Sequence, residues 1–386
     1  MRPAPAARTY VSPAVDALIA SYLPRFIDPN LGTLFANALP NALDTTVYAH
    51  TPVAGSTAAA PADTFIITGD IEAMWLRDST NQVLPYLGLA AGDSALRDLL
   101  VGLIGRQARS VLIDTYANAF QENALGGQGP HADDATYTTL FAGTVVSAMT
   151  PAVFERKWEV DSLANVLRLS AAYWDATGDA SPFNATWVAA VGTILATFKA
   201  QQADTAQEDA AGGPAYTFQR TTSQPTDTLE QGRGFPVSYT GMIKTAFRAS
   251  DDATIYNYNI PENAFAAVAL RAVAPLLSAV NATTLAAAAT ALAGQVEAGM
   301  ATWGTMHHPT AGTVWAYEVD GFGNAVFMDD ANIPSLLAMP YYGASNGSDA
   351  LYLATRAAVL SAANPWFLNG TAGAGVGGCV TDSIDG

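Results

Sequence analysis

The groups able to do chemistry in this sequence are mostly carboxylates. Its 386 residues carry 34 Asp+Glu against 17 Lys+Arg, a net charge of −17, with four His and a single Cys, Cys379. One cysteine excludes an internal disulfide framework and a cysteine-based zinc site. The shortage of cations argues against nucleic acid or an anionic membrane as a partner, since both need clustered Lys and Arg. Gly-x-Ser-x-Gly, a phosphate loop ending Gly-Lys-Ser/Thr and His-Glu-x-x-His are all absent. His307-His308 is an adjacent pair, not a helical ligand pair. A neutral, polyhydroxylated substrate suits this balance, because carboxylates accept hydroxyl hydrogen bonds and transfer protons.

Four segments concentrate such groups. In Thr68-Gly69-Asp70-Ile71-Glu72-Ala73-Met74-Trp75-Leu76-Arg77-Asp78-Ser79, a helix would bring Asp70, Met74, Arg77 and Asp78 near one face. Carboxylates and a guanidinium beside Trp75 would offer hydrogen bonds to sugar hydroxyls and an apolar wall to C–H surfaces. The competing reading makes Asp70 a helix cap and Arg77–Asp78 an ion pair. In Phe247-Arg248-Ala249-Ser250-Asp251-Asp252, two adjacent carboxylates lie beside Arg248. Like charges close together raise one pKa, and a carboxyl kept protonated serves as a general acid; a plain turn is the alternative. Tyr317–Asn324 and Met328-Asp329-Asp330-Ala331-Asn332-Ile333-Pro334 gather carboxylates, amides and aromatics without EF-hand spacing, which favours sugar contacts over calcium; a capped helix start after a solvated acidic loop is the alternative. Phe154-Glu155-Arg156-Lys157-Trp158-Glu159-Val160-Asp161-Ser162 reads as a helix start with acids in its favoured first turn.

The elements that must position these groups are mostly helical. Apolar periodicity predicts helices at 13–23, 71–90 (kinked at Pro85), 94–120, 159–177, 182–202, 261–280, 283–303, 333–339 and 348–363. Short strands are predicted at 64–68 and 312–315. Long loops at 121–139, 204–239 and 315–334 carry Trp, Tyr, Phe and paired aspartates, which favours a functional role. The Ala-rich run 283–301 resembles a membrane span, but Gln295 and Glu297 interrupt it, so a buried helix is expected. Helices of this length separated by long loops are the coarse signature of an α/α barrel in one domain. Four Asn-x-Ser/Thr sites, at Asn184, Asn281, Asn346 and Asn369, weakly favour secretion, while the N-terminus lacks the apolar core of a signal peptide.

Together these segments resemble glycoside hydrolase family 125, a family of exo-acting α-1,6-mannosidases. The resemblance starts near Phe35-Ala36-Asn37-Ala38-Leu39-Pro40-Asn41 and runs through Gly69-Asp70-Ile71 with Met74-Trp75-Leu76-Arg77-Asp78-Ser79. It continues in the Phe154–Leu163 run, Tyr239-Thr240-Gly241-Met242, Phe247-Arg248 and Ser250-Asp251-Asp252. It then covers Tyr317-Glu318-Val319-Asp320-Gly321-Phe322-Gly323 and Asp329-Asp330-Ala331-Asn332-Ile333-Pro334, and ends around Asn364-Pro365-Trp366-Phe367. It implies an all-α fold, an (α/α)6 barrel over residues 1–386 with small β-hairpins in its loops. It implies hydrolysis of α-mannoside or N-glycan-type substrates with inversion, and no metal or cofactor. Asp251 or Asp252 would be the general acid. Asp70, Trp75, Arg77, Asp78, Arg248, Asp329, Asp330 and Asn332 would bind the sugar. The family's general base is a glutamate in a His-Glu-Ser segment, and no His-Glu dipeptide occurs here. After Phe367 the family continues with Gly-Gly-Pro-His and further helices, whereas here Gly377-Gly378 leads into Cys379-Val380-Thr381-Asp382. The expectation is therefore a barrel incomplete at its C-terminus, with unpaired apolar helix faces and little or no hydrolysis by this chain. A glycan-binding pseudoenzyme and a glucoamylase-like exo-glycosidase acting on another hexose are the rival readings.

Overall fold

Side-chain caps set the helix starts along much of this chain. The computed structural model describes residues 2–57, 60–123, 131–140, 144–147 and 149–378. Cys379, the Val380-Thr381-Asp382 that follows it, and 124–130 of the loop at 121–139 lie outside them. Ser12 accepts from Val15 N to open α1 (Pro13–Tyr22), and Asp28 accepts from Asn30 N to open α2 (Pro29–Ala38), a helix the periodicity did not announce. After α3 (Leu76–Val83), Asp93 caps α4 (Ser94–Ile113). α5 (Val160–Thr177) ends at Gly178 in the left-handed conformation, φ 66°. Asn184 caps α6 (Ala185–Ala200), Asn259 caps α7 (Ile260–Ala279), and Asp349 caps α9 (Ala350–Val359) after α8 (Thr283–Trp303).

Several predicted helices need correction. The helix expected at 71–90 starts only at Leu76, because Met74–Trp75 pairs as a strand with Ala119–Phe120. Asp70 therefore sits in a bend, not on a helical face with Arg77. Pro85 falls in a 3-10 turn, Leu84–Tyr86, where the helix breaks. The helix expected at 94–120 stops at Ile113, where Asp114 turns extended. No helix forms at 333–339: the Leu336 and Leu337 N–H groups donate to the Asp329 carboxylate instead. One turn, Met339–Tyr342, follows. The predicted hairpin strands exist as Asp63–Ile66, paired with Val47–Thr51, and Gly312–Trp315, paired with Thr305–His308.

The result is a mostly helical fold with small antiparallel sheets of two or three strands. One continuous apolar core links the helices. α5 packs on α3 and α7, α7 on α8, and α4 on α6. α7 is buried along most of its length, from Ile260 to Leu277. It is the one described helix long and apolar enough to cross a membrane, and 72% of that window is buried inside the protein. The four sequon asparagines are all exposed.

A small residue fixes one close approach. At Gly102, α4 lies against the Asp63–Ile66 strand. An added Cβ would collide with Thr64 Oγ1 and stand 2.8 Å from the Asp63 carbonyl carbon. Gly102→Ala is expected to lose about 1–3 kcal/mol by overpacking, of which helix propensity returns up to about 1 kcal/mol. Urea unfolding with unchanged far-UV circular dichroism would show this. A variant as stable as the parent would mean the helix can back away.

Candidate active site

The starts of two helices and one turn meet at one guanidinium. Arg77, at the start of α3, donates from Nη1 to Glu159 Oε2 (2.7 Å) and from Nη2 to Asp251 Oδ1 (3.1 Å). Asp161 Oδ2 lies 3.6 Å from Nη1, and Asp78 Oδ2 lies 3.6 Å from Nε. Asp78, Asp161 and Glu262 occupy the first turns of α3, α5 and α7. The unpaired N–H groups at a helix start favour negative charge there. Glu262 reaches across to accept from Val160 N at 3.2 Å.

A three-stranded sheet fixes the floor. Met74–Trp75 pairs with Ala119–Phe120, which pairs with Val153–Glu155. Asn118, just before the middle strand, donates to Glu155 Oε2 (3.0 Å) and Glu159 Oε1 (3.3 Å) and accepts from Lys157 N (3.1 Å). Gln107 on α4 donates to Ser79 and Thr80, which holds the start of α3 from behind.

Above this cluster opens a cavity of about 520 Å³. Trp75, Arg77, Asp78, Asp251, Asp252 and Asn332 all line it. One wall is aromatic: the Trp75 and Phe154 rings are 5.3 Å apart, and His131 stands edge-on to Phe154 at 5.4 Å. The opposite chemistry comes from Lys157, Arg220 and Asp227. Lys157 Nζ pairs with Asp227 (2.7 Å) and donates to the Asp251 carbonyl (2.9 Å). Arg220 bridges Asp134, Glu155 and Asp227. Trp75 Nε1, Asp78 Oδ2 and Asn332 Nδ2 are buried without a hydrogen-bond partner among the described residues. An indole donor, a carboxylate acceptor and an amide donor are the groups that hydroxyls satisfy. Among the described residues no three His, Cys, Asp or Glu are grouped to hold a metal ion; the carboxylates close on Arg77.

The Ser-Asp-Asp turn separates its two aspartates. Arg248 N donates to the Asp252 carbonyl, and Asp251 takes a left-handed backbone, φ 66°. Asp251 turns its side chain, 40% exposed, toward Arg77 and the cavity. Asp252 is buried, with Ser250 Oγ at 3.4 Å. Burial would raise the Asp251 pKa, but the Arg77 guanidinium, a hydrogen bond from Glu159 and the Lys157 ammonium outweigh it and hold the carboxyl below its ordinary value. Burial lifts Glu159 well above the ordinary range against the pull of Arg77, and lifts Asp161 to about 6. Asp78 is raised by burial, with Arg77 opposing.

The remaining candidates lie outside the cavity lining. Asp70 is exposed and accepts from Thr68 Oγ1. Arg248 is buried, ion-paired to Glu318 at 2.6 Å over the Tyr317 ring, and so props the Ser-Asp-Asp turn from below. Asp330 accepts from Asn332 N and Tyr317 Oη, and Asp329 ties down 336–337. These two aspartates hold the loop that presents Asn332.

A model of the metal-independent α-mannosidases, glycoside hydrolase family 125, matches residues 28–384. The chain belongs to this family. It is 41% identical to the meiotically up-regulated gene 157 protein of Schizosaccharomyces pombe, over 98% of this chain and 73% of that one. It is also similar to a Streptococcus pneumoniae metal-independent α-mannosidase solved in a non-productive complex with α-1,6-mannobiose. That match has a TM-score of 0.84 and 36% identity, and covers 96% of this chain and 82% of the other.

Within this family member, Glu159, Asp161, Lys157, Asn118, Arg220 and Asp227 are the groups at the site that sequence reading did not single out as functional. Glu159 lies in a run whose local pattern reads first as a capped helix start with local ion pairs. Only tertiary contact separates a solvated first-turn acid from one buried against Arg77.

Asp329 yields a pH prediction. Burial raises its pKa to about 8, although the Leu336 and Leu337 N–H groups favour the charged form. The folded chain thus keeps a proton that the unfolded chain releases above about pH 4, so stability falls as pH rises from there to about 8. Asp329→Asn removes this titration. Urea unfolding across pH 5–8 should show a steeper loss for the parent than for the variant; equal slopes would contradict it.

Proposed function

We propose that this chain is an exo-acting, inverting α-1,6-mannosidase, built as one domain on an (α/α)6 barrel. The observation that carries the reading is the cavity in which Asp251, Arg77, Asp78 and Trp75 meet. The barrel reading is supported by the packing of α5 and α7 as largely buried helices, with α8 against α7.

In this reading Arg77 and Asp78 hold the hydroxyls of the terminal mannose, Asn332 adds a donor, and Trp75 covers a C–H face. Asp251 delivers the proton to the glycosidic oxygen, because its side chain is well exposed on the cavity, whereas Asp252, which also lines it, is buried and takes Ser250 Oγ. Arg248, Asp329 and Asp330 act by holding these loops, and Asp70, exposed and tied to Thr68, is given no part in sugar contact. The substrate is an α-mannoside with a 1,6 linkage, the linkage of the disaccharide bound to the pneumococcal relative.

Inversion needs a second carboxylate that activates water from the opposite face, about 6.5–9.5 Å from the acid. The His-Glu-Ser segment that bears this base in the family is not in the sequence. Hydrolysis by the 386 residues is therefore expected to be about 10²–10⁴-fold slower than by a relative that carries it. The test combines calorimetry with mannose and NMR of the anomer released from an α-1,6-mannobioside. Mannose binding lost in Asp78→Ala, with slow release of the β-anomer, is the expected result. Mannose binding without any hydrolysis would favour a glycan-binding pseudoenzyme. Preferential binding of glucose would favour a glucoamylase-like specificity, and release of the α-anomer would exclude inversion.

A further inference from the structure

The acid side of the site presents a conflict. The reaction needs a proton at Asp251, yet Arg77 donates to that carboxyl and Lys157 donates to the carbonyl of the same residue, which favours its ionised form. Glu159 stands behind it. Its side chain is fully buried, and its Oε2 accepts from Arg77 Nη1 (2.7 Å) and Ser162 Oγ (2.8 Å). Asn118 Nδ2 donates to its Oε1 at 3.3 Å. Glu159 and Asp251 accept from the two terminal nitrogens, Nη1 and Nη2, of the one guanidinium, so their carboxyls lie side by side. Two carboxylates so placed have no hydrogen between them and repel, so a proton on one of them is favoured.

Charge balance gives the same answer. From α3, Arg77 and Asp78 face Glu159. Its own segment adds Glu155, Lys157 and Asp161. The turn before α7 adds Asp251, and α7 itself adds Glu262 beside Asp161. The Lys157 ammonium is already committed to Asp227 and Glu155. Arg77 alone cannot compensate Glu159, Asp161, Asp78 and Asp251 if all are ionised, and buried like charges do not all ionise. Asp251 opens on the cavity, whereas Glu159 does not, so the proton rests on the buried partner.

We propose that Glu159 holds a proton that it shares with Asp251, so that the two carboxyls, clamped by Arg77, act as one acid. The existence of the shared proton is independent of the mannosidase reading, whereas its use in catalysis rests on that reading. In the reaction an O–H bond of the pair breaks, an O–H bond to the glycosidic oxygen forms, and the C1–O bond breaks. Water supplies the hydroxyl at C1, and its remaining proton returns to the pair through solvent. Glu159 does not touch the sugar and is a positioning residue; Asp251 is the catalytic one.

Glu159→Gln is isosteric, and its amide can still donate to Asp251 while releasing no proton. Infrared difference spectra of wild type minus E159Q at neutral pH, in H₂O and D₂O, should show a deuterium-sensitive protonated carboxyl present only in the wild type. A difference spectrum containing only an ionised carboxylate overturns the proposal. Should E159Q fail to fold, ¹³C-carboxyl NMR of the glutamates in wild type and Asp251→Asn serves instead. A glutamate protonated at neutral pH whose resonance moves in D251N is expected, and no such glutamate overturns the proposal. For catalysis, E159Q should slow release from an α-1,6-mannobioside about 10²-fold or more. It should slow a dinitrophenyl α-mannoside far less, since that leaving group needs no proton. Equal losses on both would overturn the catalytic role. The infrared band is read without turnover, so failure of the mannosidase reading and failure of this proposal give different results.

Discussion

The Arg77 guanidinium sits where the starts of α3 and α5 and the strained Ser-Asp-Asp turn each deliver a carboxyl group. Removing a charge from water is costly, and a buried ion pair is sustained only by good geometry and further hydrogen bonds. Here one cation serves Glu159 and Asp251 directly and biases Asp78 and Asp161 at longer range. Everything behind the cavity follows from keeping that arrangement intact. Asn118 fixes Glu159 and Glu155, Gln107 fixes the start of α3, and the short sheet through Ala119–Phe120 sets the height of Trp75.

The same crowding separates the carboxyls chemically. Asp251, beside Arg77 and Lys157 and open to the cavity, is held ionised, while Glu159 and Asp161 are pushed up by burial. Groups with such divergent environments are what acid–base catalysis requires. In the proposed mannosidase the buried cluster and the open cavity form one device: the interior sets the protonation, and the cavity lining offers hydroxyl partners and an aromatic wall.

The sequence was most legible where chemistry is local. Asn184, Pro261 and Gly178 marked helix ends that the structure keeps, because caps and left-handed turns depend on neighbouring residues alone. It was least legible where tertiary contact overrides propensity. Asp70 reads as part of a helical face only until Met74–Trp75 is paired as a strand. The apolar spacing at 333–339 suggests a helix, but Asp329 captures the amides that would build it. The motif residues gathered by the cavity, Trp75, Arg77, Asp78, Asp251, Asp252 and Asn332, were visible as residue types. Their buried partner Glu159 was visible only as one acid of the Phe154–Ser162 run, and nothing in its local pattern distinguishes that run from a solvated helix start.

The most direct measurement is a crystal structure with an S-linked α-1,6-mannobioside, which resists hydrolysis. The account predicts the terminal mannose against Trp75 with its hydroxyls on Arg77 and Asp78, and the bridging sulfur facing the Asp251 carboxyl. A ligand seated away from Arg77, or a bridging atom turned away from Asp251, would contradict it.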